Sequence, residues 1–164
     1  MTNALSGSRR GLRTATAIGT VTLGMLALAA CEKPTPLMTV TVGSDTVTAE
    51  AACYEDGAVL DDAKANACSK KDDAEQTITV DKDEKIRIGV EPDMAEDGWL
   101  LLVNNQPVLS EPSDETYLTF PGEAFFQKQG PTGTPVPTES AKITVVQTAD
   151  KKVKGVWQVQ AKQD

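Results

Sequence analysis

The sequence predicts an all-β protein: an antiparallel β-sandwich, immunoglobulin-like in architecture, with one short helix and one disulfide. Three observations lead there. Short apolar segments alternate with polar residues at a period of two, the spacing of a strand with one buried face. Clusters of Gly, Pro, Asn, Asp and Ser separate these segments, and such residues make turns. No heptad pattern or internal repeat competes with this reading.

The elements follow in order. Met38, Val40 and Val42 alternate with Thr39 and Thr41, and a second short strand is expected over residues 46–50. QTITV (76–80) places Ile78 and Val80 on one face, and KIRIGV (85–90) does so with Ile86, Ile88 and Val90. DKDE (81–84) between them reads as a polar turn. WLLLV (99–103) is apolar throughout and suits a buried central strand, ended by Asn104, Asn105, Gln106 and Pro107. TYLTF (116–120) is a further strand, and KITVVQ (142–147) and GVWQVQ (155–160) form a final hairpin around residues 149–152. The one helical stretch is LDDAKANACSKK (60–71), with Asp61 or Asp62 as its cap. Seven or eight short strands with polar connections favour a sandwich over a small barrel. Aromatic residues make up only 4% of the chain. The core must therefore rest on Val, Ile and Leu, with Trp99 and Trp157 placed inside it.

The amino terminus carries Arg9, Arg10 and Arg13 and no acidic residue before Cys31, then a mostly apolar run over 15–30. Positive, then apolar, then small is the order of a secretory signal. As a helix the run covers about 24 Å, short of a hydrocarbon core of about 30 Å. Leu28, Ala29, Ala30 and Cys31 resemble the lipobox of bacterial lipoproteins. That resemblance implies thioether lipidation at Cys31 by a diacylglycerol bearing palmitate-type chains, then cleavage after Ala30. Two acyl chains hold a protein at a membrane far better than one. Three segments are therefore expected: a lipoprotein signal peptide (1–30), the lipidated Cys31 with a proline-rich tether (31–36), and one β-sandwich domain (37–164). The tether, with Pro34 and Pro36, reaches roughly 16 Å when extended.

Of the three cysteines, Cys31 is taken by lipid, which leaves Cys53 and Cys68. Outside the cytoplasm a disulfide between them is the default, with a free thiol or a metal site as alternatives. The bridge would tie the helix to the strand near Cys53, with a spacing too short for an antibody-type inter-sheet bridge.

Without the signal, 13 basic residues face 24 acidic ones, a net charge of −11. Such a domain repels nucleic-acid phosphates, so no nucleic-acid partner is expected. The chain has no histidine, which removes Ser-His-Asp and Cys-His mechanisms in their usual form and weakens zinc, copper and haem sites. Glu91, Asp93, Glu96 and Asp97 can supply a glycosidase-like carboxylate pair. The same residues also read as a solvated acidic loop before a strand, and that reading is preferred. DKDE and EPDMAED carry oxygen ligands without the spacing of an EF-hand loop. No catalytic, cofactor-binding or metal-binding residue is therefore assigned, and no enzymatic activity or cofactor is expected. Residues 121–140 are rich in Gly and Pro and read as an irregular loop. Phe125 and Phe126 within it are candidate partner-binding residues; alternatively they fold back and cap one end of the sandwich.

CEKPTP (31–36), TVTVGSDTV (39–47), EAACYEDG (50–57), TITVD (77–81), IRIGVEP (86–92), DGW (97–99) and GVWQVQ (155–160) run through the chain. On these segments the sequence resembles an actinobacterial lipoprotein family of unknown function, domain of unknown function 2771. The resemblance implies an envelope lipoprotein with a shared disulfide and brings no substrate, cofactor or catalytic residue. The expectation is a lipid-anchored protein on the extracytoplasmic face of the cell membrane. It would serve as a binding or structural module whose partner is an envelope protein or a cell-wall polymer. A protease-inhibitor-like or small-ligand-binding lipoprotein is the alternative, and an envelope-polymer hydrolase ranks below both.

Overall fold

The first strand enters the fold through a tryptophan. In the computed structural model, Trp157 Nε1 donates a hydrogen bond to Pro36 O at 2.7 Å, and the indole is fully buried. The structure describes residues 35–71, 74–81, 83–131 and 133–164. Cys31, the signal segment and most of the tether lie outside them.

Two mostly antiparallel sheets pack face to face, the sandwich expected. The first sheet holds β1 (Met38–Val42), β2 (Asp45–Ala49), β5 (Lys85–Val90) and β8 (Tyr117–Pro121) in the order β2-β1-β5-β8. The second runs β3 (Ala51–Tyr54), β12 (Lys152–Gln163), β11 (Ser140–Ala149), β6 (Trp99–Val103) and the two-residue β7 (Gln106–Pro107). Its sixth strand, β4 (Thr77–Val80), pairs in parallel with β12. The acidic turn after β4 therefore carries the chain from one sheet to the other. β9 (Gln127–Gln129) and β10 (Pro135–Pro137) form a separate small hairpin.

The core follows from alternation. Val40, Ile86 and Ile88 from the first sheet meet Trp99, Leu101, Ile143, Val145 and Val159 from the second in one buried cluster. Both tryptophans lie in it, as expected. Strand β6 alternates too: Trp99, Leu101 and Val103 are buried, Leu100 and Leu102 only half-buried. It sits between β11 and the short β7, one strand from the sheet edge.

Turn chemistry sets the hairpins. Asn104 and Asn105 have φ of 51° and 65° between β6 and β7, and Asp150 and Lys151 have φ of 51° and 64° between β11 and β12. Two consecutive left-handed residues make the turn that matches strand twist, and Asn and Asp tolerate that conformation.

The short helix α1 (Asp62–Ser69) lies against β12 and β3. Asp61 caps it by accepting from Lys64 N at 2.8 Å. Eight residues do not hold a helix alone, and no basic residue stands in its last turn. The sheet supplies the missing donors. Lys142 Nζ donates to Ser69 O and Lys71 O, and Gln158 Nε2 to Cys68 O and Ser69 O. The Cys53–Cys68 disulfide closes the same contact, with Cα atoms 6.1 Å apart.

Two stretches differ from expectation. Residues 92–97 are a second helix, α2 (Pro92–Asp97), where an acidic loop was expected. Pro92 opens it with φ already helical, and Gly98 ends it at a φ of 95°. The described part of 121–140 also holds regular elements: a 3-10 turn (Gly122–Phe125) is followed by β9 and β10.

Gly155 leaves space for Trp157. A Cβ there would sit 2.4 Å from Trp157 Cη2 and 3.0 Å from the Tyr54 ring. Gly155→Ala is expected to destabilise the fold by about 1–3 kcal/mol through overpacking, read as a lower urea midpoint by tryptophan fluorescence. Reducing the Cys53–Cys68 bridge, with a sequence separation of 15, should lower stability by about 3 kcal/mol. Equilibrium unfolding with and without reductant measures that loss.

Candidate functional site

Helix α1 covers part of the outer side of the second sheet. Among the described residues no helix covers the outer side of the first sheet, and its surface follows from strand register. Thr48, Thr39, Gly89 and Tyr117 are paired in one row across β2, β1, β5 and β8. Thr46, Thr41, Arg87 and Thr119 form the next row. Ile86, Ile88 and Val40 point the other way, into the core, so alternation turns these two rows outward.

The face has a floor and walls. Gly89 is the floor: a Cβ there would lie 2.6 Å from Thr39 Oγ1. Its φ lies outside the left-handed region, so the glycine serves space and not backbone conformation. Arg87, Tyr117, Thr39, Thr41 and Thr48 surround it, and the shallow groove has a volume of about 510 Å³, with Leu37, Glu91 and Pro92 at its end. Tyr117 is 58% exposed, the most open of the large apolar side chains among the described residues. The Arg87 guanidinium lies 5.7 Å from the Tyr117 ring centroid, a cation–π distance. The Thr41 and Thr46 hydroxyls are hydrogen-bonded across the strands at 2.9 Å. Lys85 and Arg87 are the charged residues at outward strand positions, and no acidic residue shares those positions.

The residues singled out from sequence fall elsewhere. Cys31 is outside the described residues. Cys53 and Cys68 are joined. Phe125 and Phe126 are 1% and 4% exposed and belong to the core. The partner-binding role is corrected on that ground: buried rings cannot anchor a partner. Phe125 packs edge-on against Phe120, with ring centroids 5.8 Å apart. Asn104 Nδ2 holds the segment by donating to Gln127 O at 3.2 Å.

The four carboxylates sit on or beside α2. Glu91, Asp93 and Glu96 are exposed. Asp97 accepts hydrogen bonds from Gln147 Nε2 at 2.7 Å and Lys154 Nζ at 2.5 Å. That ties α2 to the end of β11 and the start of β12. Among the described residues no group of three or more His, Cys, Asp or Glu is placed to hold a metal ion.

Sequence reasoning missed the open face. Its signal was the polar half of each strand's alternation, which reads as ordinary solvent exposure until strand order brings the rows together.

Gly89→Ser is expected to turn the Thr39 side chain about χ1, since the new Cβ would sit 2.6 Å from Thr39 Oγ1, at a cost of about 1 kcal/mol. A melting temperature within a few degrees of the parent, measured by circular dichroism, would bear this out.

No family model, no curated protein and no solved structure matches the chain.

Proposed function

We propose that this chain is a lipoprotein anchored through Cys31 on the extracytoplasmic face of the cell membrane, where its β-sandwich acts as a binding module of the envelope. The observation that carries the binding role is the open face of the first sheet. In an acidic domain, the outward rows of this face carry threonines, Arg87 and Tyr117, and Glu91 is the acid in the groove lining. The anchor rests on the order of the first 31 residues: an arginine cluster, an apolar run, then Leu28, Ala29, Ala30 and Cys31.

A binding module ranks above the alternatives for structural reasons. The groove is shallow and open along the sheet, which suits an extended partner better than an enclosed small ligand. The hydrolase reading weakens because Asp97 is engaged by Lys154 and Gln147 while its neighbours on α2 face solvent. Only the short stretch 32–36 separates Cys31 from the groove's end at Leu37, roughly 16 Å of extended chain. The binding face therefore works close to the membrane.

Cross-linking of the full-length protein in cells, followed by capture, tests the reading. Cys31→Ala should move the protein out of the membrane fraction. Envelope material should be captured with the lipidated form and not with the variant. Equal membrane association of both forms would sink the anchor, and capture of nothing above the Cys31→Ala control would sink the binding role.

A further inference from the structure

We infer that the open face of the first sheet binds a glycan chain that carries carboxylates; the inference rests on the binding-module reading above and names its partner class.

The chemistry of the face selects this partner. Thr39, Thr41, Thr46, Thr48 and Thr119 present hydroxyls in two rows fixed by strand pairing. A hydroxyl both donates and accepts, which matches the mixed donors and acceptors along a sugar chain. Tyr117, 58% exposed, adds an aromatic ring beside them, of the kind on which the apolar C–H face of a sugar ring stacks. The groove runs over the sheet past Thr39, Gly89 and Tyr117. Four strands spaced about 4.8 Å apart give a face about 14 Å across, suited to an oligosaccharide rather than a single small molecule.

Charge narrows the class. The mature chain carries 24 acidic residues against 13 basic ones, so an anionic polymer is repelled from most of its surface. Arg87 and Lys85 stand at the outward positions of β5, and no acid stands at the outward positions of the sheet. The one acid in the groove lining, Glu91, lies past the end of β5. The guanidinium is held beside the Tyr117 ring, where it can pair a carboxylate while the ring stacks a sugar.

Other partners fit less well. Protein interfaces are built on a desolvated centre with several large anchors, and this face has one aromatic ring and mostly threonine. Single-stranded nucleic acid calls for several stacking aromatics in a strongly positive groove.

The test uses full-length lipoprotein in detergent micelles. The probes are oligogalacturonate, its methyl ester of the same length, and solubilised cell-wall glycan; vesicles of anionic lipid are the competing surface. The inference expects the acidic glycans to bind and the methyl ester to bind roughly tenfold weaker or less, the factor for losing a charge-assisted hydrogen bond. Arg87→Gln and Tyr117→Ala should each weaken binding by about that factor, with partial recovery in Arg87→Lys. Val108→Ser, at an exposed apolar position on the other sheet, should bind as the parent does. Melting temperatures matching the parent identify folded variants, and any that fails is replaced by Gly89→Ser. Equal binding of acid and ester, no binding of either acidic glycan, or undiminished binding by Arg87→Gln/Tyr117→Ala overturns the inference. A preference for the vesicles does so too. If cross-linking in cells still captures an envelope partner in that case, the binding module stands and only its partner class falls.

Discussion

The structure depends on Trp157 more than on any other side chain. Its strand, β12, pairs with β11, β3 and β4 and so lies within the second sheet. Its indole N–H reaches Pro36 O, just before the first sheet begins. Burying that N–H without a partner would cost about 1–3 kcal/mol, so the ring fixes where the chain enters the sandwich. The Tyr54 ring lies 5.9 Å away and Gly155 leaves room for the indole. One residue thus sets the contact between the sheets and the point where β1 starts.

The two outer faces are treated differently, and the difference creates the site. Helix α1 is too short to stand alone, and it is held on the second sheet by a disulfide, by Lys142 and by Gln158. Those two side chains are buried although polar, because they satisfy the carbonyls at the helix end. No described helix lies over the matching side of the first sheet, where Thr46, Thr48, Arg87, Tyr117 and Thr119 are exposed. A chain this small gains no core by leaving a whole sheet face in water. The polar composition of that face suits contact with water.

Much of the fold was legible because strand patterning survives in a single sequence. Val40, Ile86 and Ile88 announced their burial by period alone, and Trp99 by the apolar run it opens. The Asp61 cap and the turns at Asn104 and Asp150 carried their own local chemistry. Helix α2 was legible in principle from Pro92 and Gly98, but six residues rich in acid look the same as a loop. Phe125 and Phe126 were ambiguous for a different reason. Whether a ring in a Gly- and Pro-rich segment faces in or out is decided by distant partners such as Phe120 and Asn104. The candidate face was not legible at all, because Thr39, Gly89 and Tyr117 become neighbours only through the strand order.

Threonine by itself says little, since a β-branched polar residue is what a solvated strand prefers. The outward threonines of β1, β2 and β8 could be propensity and nothing more. Gly89 breaks that explanation. It stands in β5, between β1 and β8, where glycine is among the poorest strand residues and costs roughly 0.5–1 kcal/mol against alanine. Its backbone φ does not require it, and no described helix lies over that side. What glycine provides there is room for Thr39, whose Oγ1 lies 2.6 Å from where a Cβ would sit. An exposed tyrosine beside it runs against solubility in the same way. The glycine makes room for Thr39, so the feature of this row that a ligand would explain is the exposed tyrosine with an arginine beside it.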